Sequence, residues 1–468
     1  MKERQWGVAP YAPIRNLERA VNPYICRLMP YENRFEFEWM DPVPNCGHVL
    51  YWKLRGSEEP WNTRVITDSV VVVDGLQNET EYEFYVERTE DGTKSSVRLV
   101  YTYPMDAEVI NYNHPEDDHY AFSGHYLSSP GIIKLPSGRL LITHDVFGKG
   151  PNQGLAIIYK SDDGGKTWQF LTEMYPLFWP KFFVHNDKLY ALGCARQHGD
   201  LIISESSDEG ATWRTPVTLL YGDNGSAAGW HQSCTPVVNH NGRLYTCMES
   251  GTWGLWNDVA HGSTMLSVSC DCDLMVKENW DFTPLAFVDP KVANFPTAEF
   301  VTCIEGNAVA GPDGNVYNIL RIDPVNCERK KAQNAAVLMK LKSLDEPLEF
   351  VQMLDVKVGI RHKFYTLRDE KTGLYFMVHN EEMEKNIERR CIISLSVSED
   401  LFTWRKLTTL LDCTEIPSAG YSYPSFCIDG DDLLYVSRSA FGKRKSEHDN
   451  NYVTFHRLEN FRDLLKEN

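Results

Sequence analysis

Short runs of alternating apolar and polar residues dominate the chain. Phe35-Glu36-Phe37-Glu38-Trp39 and Val49-Leu50-Tyr51-Trp52-Lys53 each bring apolar residues to one face at every second position, the period of a half-buried strand. Long stretches at helical spacing are scarce, so the pattern predicts an all-β protein. From about residue 120 onward a larger unit returns: an extended strand, a turn with Gly or Asn-Asp, then an apolar strand closing on a polar residue. Six copies span 129–145, 179–193, 231–249, 305–321, 362–379 and 423–438.

A repeat of this kind every 50–70 residues or so, roughly, suits four-stranded blades with insertions and predicts a six-bladed β-propeller. The propeller is assigned to 106–468. Before it, residues 20–105 predict a small β-sandwich, and 1–19 an N-terminal arm. Residues 108–112 are expected to help close the ring, 452–456 to join the sheet of the first blade, and 458–465 to form a short terminal helix.

Composition narrows the function. The chain has 468 residues, 12 Trp and 23 Tyr, enough aromatic mass for a large core. Its net charge of −18 disfavours nucleic acid or an anionic membrane as partner. No apolar leader or bilayer-spanning run is visible, which leads to the expectation of a cytoplasmic protein with reduced thiols. Cys270-Asp271-Cys272 has no second pair at metal-binding spacing, so neither a metal nor another cofactor is expected.

Two octets mark turns after apolar strands: Ser161-Asp162-Asp163-Gly164-Gly165-Lys166-Thr167-Trp168 and Ser206-Ser207-Asp208-Glu209-Gly210-Ala211-Thr212-Trp213. Weaker echoes run from Ser398 to Trp404 and from Asp271 to Trp280. These motifs resemble the Asp-box (BNR repeat) of sialidase-type propellers. Leu76, six residues before Tyr82, resembles the tyrosine corner of fibronectin type III domains.

Candidate chemistry sits where strands begin and end near the propeller axis. His144, Asp145, Lys181, His231, Glu249, Glu305, Arg321, Lys363, Tyr423 and Arg438 all fall there, and together they point to one ligand site. The sialidase resemblance implies an arginine cluster that grips a carboxylate, a Tyr nucleophile with a Glu partner, and an Asp acid/base. Glu305 and Arg321 match the Glu and an arginine in order. Arg389 or Arg390 matches another arginine, and Tyr423, in preference to Tyr421, the nucleophile. Ser128 stands where the family's first arginine belongs. The acid/base has no counterpart, and His144-Asp145 are offered in its place. His231, Glu249, Lys363 and Arg438 complete the expected substrate-binding set. The function expected is that of an exo-acting glycoside hydrolase on a terminal acidic sugar, with ordinary α-sialosides as poor substrates. Two alternatives stand beside it: a lyase or rhamnosyl-glucuronate-cleaving enzyme on the same fold, and a non-catalytic glycan-binding propeller. Oligomeric state is not legible.

Overall fold

The computed structural model describes Arg19 and residues 21–148, 153–222, 229–252, 259–327, 336–383 and 389–466. Apart from Arg19, the predicted arm over 1–19 lies outside the described residues. Regular structure is almost wholly β; the helices with described bounds are two short 3-10 segments, Lys277–Asn279 and Phe461–Leu465. The predicted terminal helix is thus a single 3-10 segment after the last strand.

Arg34–Met40 buries Phe35, Phe37 and Trp39 and turns its polar residues outward, as the alternation predicts. It pairs with Tyr24–Tyr31 and Val70–Val73 in a three-stranded sheet. A four-stranded sheet, ordered Asn62–Ile66, His48–Leu54, Glu81–Arg88 and Arg98–Tyr101, contributes Leu50, Phe84, Val86 and Val100 to the same core. The Gln77 backbone N–H donates to the Tyr82 hydroxyl at 2.9 Å.

Six antiparallel sheets follow, numbered I to VI in chain order. An early pair of neighbouring strands is Gly131–Lys134 and Leu140–Phe147 in sheet I, Phe178–His185 and Lys188–Cys194 in sheet II, and Gly229–His231 and Arg243–Thr252 in sheet III. In sheet IV it is Phe300–Ala310 and Val316–Val325, in sheet V Phe364–Arg368 and Tyr375–Asn380, and in sheet VI Gly420–Asp429 and Asp432–Ala440. Apolar side chains fill every gap between successive sheets. Leu141 and Ile158 of I meet Leu189 and Ile202 of II, and Leu192 of II meets Met248 and Leu266 of III. Met265 of III meets Leu320 of IV, Ile319 of IV meets Met377 of V, and Val378 of V meets Phe426 of VI. The last gap joins Leu434 and Val436 of VI to Ile132 and Leu140 of I. That is why these strands carry apolar residues on both faces: each sheet is covered twice.

Tyr452–Leu458 does not join sheet I as expected. It pairs with the preceding strand Asp432–Ala440 in sheet VI, and the early strand Glu108–Tyr112 adds beyond it, Tyr112 opposite Tyr452. A hairpin to the preceding strand needs only a short connection, so sheet VI's free edge is left for the early strand. The two-sheet unit is tied down beside this seam. Arg27 donates to the carbonyls of Ile110 and Val109 at 2.7 Å each and of Trp168 at 2.6 Å. Arg98 pairs with Asp117 at 2.7 Å, both fully buried.

The octet turns share one construction. Asp163 accepts from the Lys166 and Thr167 backbone N–H groups and from the Thr167 hydroxyl, while Ser161 Oγ accepts from Gly165 N–H. Asp208 with Ser206, and Asp400 with Ser398, repeat this scheme. Trp168 is buried edge-on against Phe455 at 5.2 Å. Gly165 has φ +90°, and a Cβ there would lie 2.7 Å from the Phe455 ring. Gly165→Ala is therefore expected to cost about 1–3 kcal/mol from backbone strain and overpacking, read as a lower urea midpoint with unchanged slope.

Candidate functional site

One cavity of about 690 Å³ draws its lining from strands or flanking loops of all six sheets. Three of its residues are placed by the same backbone device. In sheets II, IV and VI the register slips by one residue, between Phe178 and Lys181, Ile304 and Asn307, and Ser422 and Ser425. Each slip is a β-bulge carrying one bulky residue in the left-handed region: Trp179 at φ +51°, Glu305 at +59° and Tyr423 at +52°. All three line the cavity. Such conformations cost on the order of 1–3 kcal/mol each and concentrate at functional sites.

Arginines surround Tyr423. Arg321, the register partner of Ile304, has its guanidinium 3.1 Å from Glu305 and 3.2 Å from Asp323. Burial disfavours its charge, but Asp323, Glu305 and Tyr423 outweigh that and hold it above the usual value. Burial in turn raises the Glu305 carboxyl against the pull of Arg321 and Lys363. Arg438, the register partner of Ser422, stacks over the Tyr423 ring at 4.5 Å and over Phe147 at 4.3 Å. Burial, reinforced by Arg390, lowers it to about 10, the mark of a cation with too little countercharge. Arg390 lies 5.4 Å from the same ring and donates through Nη2 to the Arg361 carbonyl at 2.8 Å. Among the described residues, Arg390 Nη1 and Arg438 Nε have no hydrogen-bond partner.

The opposite wall carries His231. Its ring meets Trp179 edge-on at 4.4 Å, and Nδ1 lies 3.2 Å from Glu249 Oε2. Glu249 sits behind it, fully buried, and Oε1 accepts the Gly306 N–H at 2.9 Å. Burial raises Glu249 to about 7 and lowers His231 to about 3. Gln153 and Gln197 line the rim and are joined to each other at 2.6 Å.

Of the residues singled out from sequence, Glu305, Arg321, Arg390, His231, Tyr423 and Arg438 share the cavity, and so does Ser128. Arg389 is turned to Glu447 at 2.7 Å. Lys363 is buried beside the cavity with Nζ donating to the Pro424 carbonyl at 2.5 Å. Lys181 is likewise buried and donates to Thr246 Oγ1 at 3.0 Å. His144 does not line the cavity. It packs against Tyr159, its Nε2 is 3.2 Å from Asn111 Nδ2, and burial lowers it to about 4. Asp145 is also outside the lining, fully buried, its carboxyl pushed well up by burial against the Trp179 N–H and the Arg438 charge. Sequence reasoning left Trp179, Asp323, Arg361, Gln153 and Gln197 out of the site. A signal for the bulges existed: Trp179 and Tyr423 precede proline, and Glu305 precedes glycine.

No protein-family model matches the chain, and no curated protein sequence does. Solved structures do. A Hadza microbial sialidase is 12% identical, over 94% of this chain and 98% of that one, with a TM-score of 0.50. The GH93 α-L-arabinofuranosidase of Fusarium graminearum, complexed with arabinobiose, is 14% identical over 77% and 98%, with a TM-score of 0.50. The leech intramolecular trans-sialidase is 11% identical over 94% and 92%, again with a TM-score of 0.50. These likenesses show a shared β-propeller fold.

Proposed function

We propose that the chain is an exo-acting glycosidase that removes a terminal acidic sugar. Sheets I to VI are read as the blades of a six-bladed propeller over 106–468, and the two preceding sheets as a fibronectin type III-like sandwich over 20–105. The observation that carries the functional reading is the set of three arginines, Arg321, Arg390 and Arg438, around Tyr423 in one cavity with Glu305. All three keep a buried guanidinium nitrogen without a hydrogen-bond partner among the described residues. A buried donor of this kind is costly unless a ligand satisfies it, and a planar carboxylate matches guanidinium geometry. That the named structural neighbours include glycosidases fits the reading but does not carry it.

In the mechanism, the arginines hold the sugar's carboxylate and fix its anomeric carbon near Tyr423. Glu305, raised by burial, takes the phenolic proton as Tyr423 attacks. The cationic walls stabilise charge on the sugar carboxylate throughout and exclude competing orientations.

Methylumbelliferyl glycosides of N-acetylneuraminic, glucuronic and galacturonic acids and of arabinofuranose test this. Turnover confined to acidic sugars supports the reading; turnover of arabinofuranose alone, or of none, overturns it. The sialoside is expected to be a slow member, since Ser128 lines the cavity where the sialidase pattern has an arginine. Arg390→Ala should weaken kcat/KM for the acidic substrate by about 10–150-fold, the worth of one charge-assisted hydrogen bond of roughly 1.5–3 kcal/mol. Arg390→Lys should recover only part, because an ammonium makes no two-point contact.

A further inference from the structure

We propose that His231, positioned by Glu249, is the proton donor and acceptor of this cavity. The inference rests on the glycosidase reading and adds the group that the sialidase resemblance leaves unfilled. An attack by Tyr423 expels the leaving oxygen on the far side of the anomeric carbon, so the proton must come from the wall opposite Tyr423. In the cyclic order of packing, sheet III lies three sheets from sheet VI, and His231 ends the first strand of III. The carboxylates among the described lining residues, Glu305 and Asp323, are both bound to Arg321. The other lining histidine, His448, is on the Tyr423 side, 6.2 Å from its ring.

The orientation of His231 is fixed twice: by the Trp179 edge and by Glu249, itself held by Gly306 in the sheet IV bulge. With Nδ1 facing Glu249, Nε2 is the atom that exchanges a proton with the substrate. As the Tyr423 oxygen bonds to the anomeric carbon and the glycosidic C–O bond breaks, the Nε2–H proton passes to the leaving oxygen. Nδ1 then takes the proton of Glu249 Oε2, leaving a carboxylate. Tyr423's own proton has gone to Glu305. In the second half, water attacks the anomeric carbon, gives one proton to Nε2 while Nδ1 returns its proton to Glu249, and Tyr423 leaves with the proton held by Glu305.

Charges facing the pair are Lys181 from sheet II, Arg321 and Glu305 from sheet IV, and the neighbouring His198 and His261. The Cys194 and Cys247 thiols beside Glu249 are kept protonated by burial. Burial places the shared proton on Glu249 up to about pH 7. Glycosylation should therefore fall as pH rises through that value, and Glu249→Gln should flatten this alkaline limb.

The test compares phenyl and dinitrophenyl glycosides of the acidic sugars in the panel, using full-length wild type, His231→Gln and Tyr423→Phe. His231→Gln is expected to lose roughly 10²–10⁴-fold on the phenyl glycoside, the usual worth of general acid–base catalysis. It should lose far less on the dinitrophenyl glycoside, which needs no protonation, and azide should accelerate it with formation of a glycosyl azide. Equal losses on both substrates with no azide response would overturn the assignment while leaving the glycosidase reading in place. Turnover of the glycosides by Tyr423→Phe at the wild-type rate, or none by wild type, would overturn the reading and this inference with it.

Discussion

Tyr423→Phe is expected to abolish turnover while leaving the protein folded and substrate bound. The substitution removes one oxygen. The ring stays between Arg438 at 4.5 Å and Arg390 at 5.4 Å, so the cation–aromatic contacts and the shape of the bulge persist. The nucleophile does not. Loss of a nucleophile that acts as part of a unit costs on the order of 10³-fold or more in kcat, whereas loss of a binding contact raises KM and spares kcat. Steady-state kinetics separate the two, and equilibrium binding of the product sugar by calorimetry supplies the control. A kcat within about tenfold of wild type would remove Tyr423 from the chemistry. A slow fluorinated sugar should leave a covalent adduct on the peptide containing Tyr423 in wild type and none in the variant.

Arg98→Met should be among the most destabilising single changes outside the cavity. Arg98 and Asp117 are fully buried and joined at 2.7 Å. The guanidinium also reaches Asn113 Oδ1 at 3.2 Å and the Ile25 carbonyl at 3.3 Å. Methionine keeps the aliphatic stem but takes the guanidinium partner away from a fully buried carboxyl group. Breaking one half of a buried pair costs about 3–5 kcal/mol, a large part of the 5–15 kcal/mol or so that holds a typical protein together. Asp117 retains the Leu99 and His119 backbone N–H groups, so Arg98→Met combined with Asp117→Asn should recover part of the loss. Urea unfolding of both variants measures it. A change under about 1 kcal/mol in the single variant would mean that water enters the site.

Much of the architecture was legible because strands and turns write local signatures. The alternation Phe35, Phe37, Trp39 and the Ser-x-Asp-x-Gly-x-Thr-Trp turns are determined within a few residues of themselves, and the structure has them as the pattern predicts. The site depends instead on which way a side chain faces, and that parity flips with every inserted residue. Glu305, Tyr423 and Trp179 owe their direction to bulges that no alternation announces. Arg389 and Arg390 are neighbours in sequence, and only the second faces the cavity. His144 and His231 both sit at strand ends in polar company. His144 falls on the parity that packs it against Tyr159 and Asn111, and His231 on the one that opens to the cavity. The last strand was misplaced for a related reason: an apolar strand carries no mark of which edge it will join.

The seam between Glu108–Tyr112 and Tyr452–Leu458 sets a constraint on the order of synthesis. Tyr112 is translated 340 residues before its partner Tyr452, so the nascent chain must carry an unpaired strand through the making of the intervening sheets. Closing a loop of that length is entropically slow, and until it closes sheet VI's partner edge stays available to other chains. The Arg27 contacts to Val109 and Ile110 hold that waiting strand against residues made just before it. The N-terminal sheets are thus in place to cover that strand before its sheet partner exists.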